Sequence, residues 1–406
     1  MSDTGDFNAR ISRFYHRWHA LERAQGADDG RILDFDFCPR EHLVDLEPPF
    51  AHRLEALRHL KALQVDVISA SPSRFVNHAF MIQKLRGAET YLRALMGERI
   101  PFRRCLKTMM GIEPLPVPRT ELSLKRRELE ARLDRIGIAF SPDAAPLFEQ
   151  RMMLRAVETL EADLRKEATL WTQRLGTRLG LRSIPEYTIE SAEVDAYWAN
   201  WIDGSREEGI RLQINRHRRI GYHKYAATTF ALHEIGGHAL HVLELAAAAE
   251  RGEIDSAALN FTVHSCEAVQ MEGLAQSLLF LSTEEGEVPE EALLGQELKA
   301  YHGALINNAQ IELEAGAPLE RVVEQTLRDA PFMCPSKLLA VLRDRGRHPL
   351  YRAYIFAYAP GRRLFMRMSG RPDHERMAFL KQMYTALWTP RQIADIVASP
   401  GGAPQG

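Results

Sequence analysis

His233, Glu234 and His238 stand close together in the stretch Ala226 to Glu250, AATTFALHEIGGHALHVLELAAAAE, with His241 one turn further on. The Ala- and Leu-rich surroundings predict a helix, buried for most of its length. Two imidazoles and a carboxylate on such a helix can hold a metal ion and supply a general base. A packed helix whose histidines merely hydrogen-bond is the competing reading, and buried polar groups rarely lack a partner or a task. In the familiar H-E-x-x-H pattern the histidines sit four residues apart, roughly 40° around the helix, and share a face. Here the pattern is H-E-x-x-x-H, and five residues of ideal helix would turn the two rings roughly 140° apart. One widened turn of the π type absorbs the extra residue, and Gly236 and Gly237 occupy the place where it would fall. A Gly inside a helix costs about 1 kcal/mol relative to Ala, so the pair needs a reason.

Two histidines leave a metal open, and a zinc enzyme ordinarily takes a third protein ligand and keeps the fourth position for water. The segment HSCEAVQMEGLAQSLLFL carries Glu267 and Glu272 among apolar residues. Buried carboxylates are costly unless paired, protonated or metal-bound. Glu272 is the preferred ligand, because Gly273 beside it allows a close helix approach. Glu267 is then expected to hydrogen-bond to a ligand histidine and orient it.

The elements that must position these groups read as mainly α, a large helical metallopeptidase-like fold with one small β-sheet ahead of the metal-binding helix. Residues 1 to 180 read as an N-terminal helical region. Apolar residues recur at three- and four-residue steps from Pro49 to Gly97, which predicts two paired amphipathic helices. The charged runs Thr120 to Arg135 and Pro146 to Gly176 predict solvated helices. Between Pro185 and Arg216 the texture changes to Tyr, Ile, Val and Trp around a Gly-containing turn, the signature of strands. An edge of that sheet could hold an extended peptide by backbone pairing. Residues 181 to 398 read as the catalytic region, helical after the metal helix, and 399 to 406, Pro/Gly-rich, as a disordered tail.

Composition sets bounds on partners. The 406 residues are 45% hydrophobic, with Lys+Arg 52 against Asp+Glu 54 and a net charge of -2. No global charge footprint for nucleic acid or an anionic membrane follows. The cysteines, Cys38, Cys105, Cys266 and Cys334, form no C-x-x-C pair, which disfavours a structural zinc site and a disulfide framework. With no signal-peptide core and no long apolar run, a cytoplasmic location is the expectation.

HEIGGHAL followed by MEGLA resembles the gluzincin metallopeptidases, in which two helix histidines and a glutamate from a following helix bind zinc. The three-residue gap is similar to that of dipeptidyl peptidase III and of the microtubule-associated tyrosine carboxypeptidase family, which has an E-G-L-A signature. A bacterial family with H-E...G-H-H, E-G-W-A and late Y-x-P-G-Q motifs is also similar, and Tyr358, Pro360, Gly361 and Arg362 follow its last motif except that Arg362 stands where Gln is expected. The resemblance covers roughly residues 185 to 370. It implies one zinc ion per chain, with His233, His238 and Glu272 as ligands and Glu234 as general base, and it leaves the substrate open.

The implied reaction is cleavage of a peptide or amide bond, in a peptide or an amide-containing small molecule. The tetrahedral oxyanion needs a donor besides the metal, for which His264, Tyr301, His302, Tyr354 and Tyr358 are candidates. Tyr358 and His264 are placed in catalysis, and Tyr354 is placed among the substrate-binding residues. Arg362 and Arg363, or Arg218 and Arg219, could grip a substrate carboxylate, which would make the enzyme a carboxypeptidase. An isolated arginine near the metal would decide that point. Two rivals remain: a helical di-iron or di-manganese oxidase drawing on Glu244, Glu267 and Glu272, from which the expected E-x-x-H spacing is missing, and an inactive descendant that binds a peptide.

Overall fold

The computed structural model describes residues 4–25, 32–33, 48–151, 154–156, 159–181, 187–193, 200–205, 209–216, 221–223, 225–262 and 264–399. Helix dominates throughout. The predicted pair between Pro49 and Gly97 forms as Arg53–Ser69 and His78–Leu95, which pack on each other. Asn77 caps the second of these, its side chain accepting the backbone N–H of Phe80 at 3.0 Å. The charged run forms Arg119–Arg135, which buries only Leu129 and Leu133 and carries its remaining surface in water, as its composition predicts.

Five short strands make two sheets among the described residues, where one was expected. β2 (Tyr187–Ala192), β3 (Asn200–Ser205) and β4 (Gly209–Asn215) form a sheet in the order β2-β4-β3, with β2 parallel and β3 antiparallel to β4. β1 (Leu154–Ala156) pairs antiparallel with β5 (Gly221–His223) through Arg155 and Tyr222. β1 interrupts the run read as one helical span, leaving Ala144–Arg151 and Leu160–Leu179 on either side. Its partner lies far along the chain, so local periodicity could not reveal it.

The main hydrophobic core runs without a break from Phe7 to Val397, across the boundary drawn at residue 180. Trp171 and Leu175 of Leu160–Leu179 belong to it together with Leu232 and Ile235 of the histidine-bearing helix. A satellite cluster gathers Leu129, Phe148, Leu294 and Tyr301. The histidine-bearing helix is held between Leu160–Leu179 on one side and Glu267–Leu281 on the other, and β3 touches it at its widened turns. Glu267–Leu281 in turn packs closely on Tyr358–Phe365. No described helix is long and apolar enough to cross a membrane. Residues 400–406, read as a disordered tail, lie outside the described residues, as do Arg218 and Arg219.

Candidate metal centre and its cavity

Three segments run end to end to make the helix that carries the histidines: α-helix Ala226–Phe230, π-helix Ala231–Leu240 and α-helix His241–Glu250. The extra residue of H-E-x-x-x-H is thus absorbed by widening, as the spacing demanded. Hydrogen bonds from i to i+5 bring residues five apart back to one face. The His233 and His238 rings are accordingly 5.0 Å apart, edge to face at 87°.

Close packing accounts for the glycines. A Cβ on Gly237 would lie 2.5 Å from the Cα of Ala275, and one on Gly236 would lie 3.0 Å from Leu175. Gly237 therefore lets the helix Glu267–Leu281 approach backbone to backbone, which brings its carboxylate within reach, while Gly236 leaves room for the Leu175 side chain of Leu160–Leu179. The same device acts on the far side of that helix. A Cβ on Gly273 would meet the Phe365 ring at 2.7 Å, and one on Gly361 would meet the Val269 carbonyl at 2.7 Å. Tyr384 donates its hydroxyl hydrogen to the Gly236 carbonyl at 2.8 Å, within the widened turns.

One atom from each of His233, His238 and Glu272 lies within 4.8 Å of the others, and no further group of His, Cys, Asp or Glu among the described residues is arranged to hold a metal. The His233 Nε2 to Glu272 Oε2 distance is 3.9 Å, inside the roughly 4.2 Å that two metal bonds of about 2.1 Å can span. Burial lowers His233 to about 4, helped by the charge of Lys299. His238 is pushed well below its usual range by burial and by His233 and His241. Both imidazoles are therefore neutral near pH 7, the form in which histidine binds a metal. The donor set, two neutral nitrogens and one carboxylate, fits zinc. Glu234 is raised to about 8 by burial and then by the negative charge of Glu272.

The Glu272 carboxylate has a fixed orientation. Tyr354 donates to Glu272 Oε1 at 3.0 Å, and its oxygen lies 2.8 Å from that of Tyr358. These hydroxyls belong to consecutive turns, Tyr351–Tyr354 and the start of Tyr358–Phe365. The centre opens into a cavity of about 450 Å³ lined by His233, Glu234, Gln276, Lys299, Arg345 and Tyr358, among others. A larger groove of about 800 Å³ shares Asn307 and Arg362 with it but is not lined by His233, Glu234 or Tyr358.

Several expected site residues lie elsewhere or do other work. His264 is fully buried in an aromatic cage, stacked on Tyr91 at 4.7 Å and against Trp18 at 5.2 Å, and does not line the cavity. Burial and the charge of Lys84 push its pKa well down. Glu267 orients no ligand histidine: its Oε1 receives Lys84 Nζ and, at 3.2 and 3.1 Å, the N–H and hydroxyl of Thr262. A buried carboxylate takes the nearest cation, and Lys84 arrives from a helix whose pattern gave no hint of it. Tyr301 donates to the Asp329 carbonyl at 3.0 Å, and Glu244 is buried outside the three-residue group. Arg362 lines the cavity but is held by Glu297 at 2.6 Å, and Arg363 reaches Glu121 at 2.6 Å on the exposed surface. His241 is buried edge-on to Tyr384.

Arg345 and Asn307 were not anticipated. Both line the cavity, and the Arg345 guanidinium donates to Asn307 Oδ1 at 3.3 Å. Nothing in the local string RDRGRHP distinguishes Arg345 from an exposed arginine.

No family model matches the chain, and no curated protein matches it. Among solved structures it is similar to a protein of Colwellia psychrerythraea described as a "putative lipoprotein", with a TM-score of 0.53 and 13% identity over 84% of this chain. The chain spans 66% of the length of that protein. The likeness is one of fold.

Proposed function

We propose that the chain is a zinc-dependent hydrolase that cleaves a peptide or amide bond, of the gluzincin type, with His233, His238 and Glu272 as ligands and Glu234 as general base. The observation that carries this reading is the convergence of the three ligand atoms within 4.8 Å, beside Glu234, at a cavity of about 450 Å³. A zinc ion held there would supply Lewis-acid polarisation of an amide carbonyl and acidification of water. Glu234 takes the proton of the attacking water and delivers it to the departing amine nitrogen, so that one C–N bond breaks and a carboxylate and an amine result. Glu234 lines the same cavity as His233, its neighbour in sequence, where it can take a proton from water and hand it on. Tyr354 fixes Glu272 by its hydrogen bond, and the Tyr358 hydroxyl, on the cavity wall, is a donor for the developing oxyanion. β3, an edge strand in contact with the widened turns, offers backbone groups to an extended substrate.

The test is a screen of short peptides by mass spectrometry, with metal analysis of the same preparation. The expected result is one zinc per chain, cleavage abolished by a chelator, and a loss of about 10²- to 10⁴-fold in kcat for Glu234→Gln with zinc retained. Two irons per chain, or turnover unchanged in Glu234→Gln, would sink the proposal.

A further inference from the structure

We infer that Arg345 and Asn307 form a receptor for the terminal carboxylate of the substrate, which makes the chain a carboxypeptidase; this rests on the hydrolase reading for its meaning but not for its test. The cavity wall carries three cationic side chains near the ligands: Lys299, Arg345 and Arg362. They are not equivalent. Arg362 is neutralised by Glu297, which Lys125 also meets at 2.7 Å. Arg345 has no carboxylate within ion-pair distance among the described residues, and its hydrogen bond to protein is the neutral amide oxygen of Asn307.

Partial burial without a counter-ion is costly for an arginine; Arg345 is half-buried, and desolvation lowers it to about 10. Asn307 is 5% exposed, and its Nδ2 is buried with no acceptor. Buried donors left unmade are expensive and are rare in native proteins. A guanidinium and an amide N–H₂, adjacent, both short of acceptors, on the wall of a cavity that also contains Glu234, have the donor geometry for an anionic group with two oxygens. A peptide's α-carboxylate supplies such a group beside the scissile bond. The cavity, about 450 Å³, has room for a residue or two beside the three-residue group.

The test begins with binding to the metal-free full-length chain, so that no zinc can hold the carboxylate. A panel of N-acetyl amino acids and the matching N-acetyl amino acid amides is titrated by calorimetry. At least one acid should bind, and its amide should bind about 10- to 100-fold more weakly. Arg345→Ala and the closer Arg345→Gln should both erase that preference, and Arg345→Lys should keep part of it. Equal binding of acids and amides, binding of no acid at all, or an acid preference that survives Arg345→Gln would overturn the receptor. In the zinc-loaded chain, peptides with free and amidated C-termini separate the two claims. Arg345→Gln should raise KM for free-acid peptides far more than it lowers kcat, with zinc content and Tm unchanged. Cleavage of both peptide classes alike would leave a hydrolase without this receptor. Acid-selective binding that depends on Arg345, with no cleavage by the native chain, would leave the receptor without the hydrolase.

Discussion

Glu267 and Glu272 lie on one helix, five residues apart, both almost fully buried, and they meet different partners. Glu267 is matched by Lys84, itself 0% exposed, in a cluster closed by Thr262, Tyr15 and the His264 cage. Glu272 is met by His233 and by the Tyr354 hydroxyl, beside a cavity. A buried carboxylate needs positive charge or protons near it. The first site is supplied with its cation by the chain; the second faces neutral imidazole nitrogens, at the proposed metal centre. The difference between the two carboxylates therefore resides in what faces each, not in its burial.

The largest effect that would probe this contrast is acid unfolding, because both regions contain imidazoles held neutral. His16 and His233 are lowered to about 4 and His241 to about 3, chiefly by burial. Each takes up its proton more readily in the unfolded chain, so this stability is fully present above pH ~6.5 and drains away as pH falls toward 4. Glu234, raised to about 8, acts in the opposite sense in the metal-free chain, contributing below pH ~4.5 and losing its contribution as pH rises through 8. Thermal melts across pH 4 to 8 should show the acid-side loss, and added zinc should move it to lower pH by occupying His233 and His238. A melt independent of pH over that range would contradict the assignment of neutral histidines.

Next in size is Lys84→Met, which strands Glu267 and should cost about 3–5 kcal/mol in chemical denaturation, while Lys84→Met with Glu267→Leu should recover most of it. Zinc affinity should stay within a few-fold in the double variant, since neither group faces the ligands. Glu272→Ala should do the reverse, lowering zinc affinity by more than the roughly 10–100-fold typical of an outer partner while changing stability little in the metal-free chain. Gly237→Ala forces a methyl into Ala275 and should cost about 1–3 kcal/mol, together with weaker zinc binding as the helices separate. The smallest effect is expected for Tyr354→Phe, about tenfold in zinc affinity by competition with a chelating dye. If Tyr354→Phe and Lys84→Met affected zinc equally, the two carboxylates would not be separate in function.

The parts that local pattern governs were legible in the chain. The five-residue histidine spacing and the Gly pair dictated a widened turn, and the helix is widened from Ala231 to Leu240. Glu272, read as a ligand, stands in one group with His233 and His238, and the close approach expected of Gly273 is made to Phe365 and Gly361 rather than to the histidine-bearing helix. Tyr354 and Tyr358 also reach the centre. What the sequence concealed were partnerships between distant residues. Lys84 looks like one polar residue of an amphipathic helix until Glu267 is placed against it, and His264 looks like a catalytic histidine until Tyr91 covers it. Adjacent Arg362 and Arg363 drew attention as a pair, but each has a glutamate elsewhere in the chain, and the cavity-lining arginine without one among the described residues is Arg345.

The Tyr384 hydrogen bond to the Gly236 carbonyl joins the widened turns to a helix, Asp373–Thr385, that is synthesised well over a hundred residues later. While the chain emerges from the ribosome, the histidines and Glu272 are exposed long before Tyr354, Tyr358 and Tyr384 exist to hold their places. The group of His233, His238 and Glu272 thus takes its final form only when the completed fold supplies these hydroxyls, and a ribosome stalled after Glu272 would present the three residues without them.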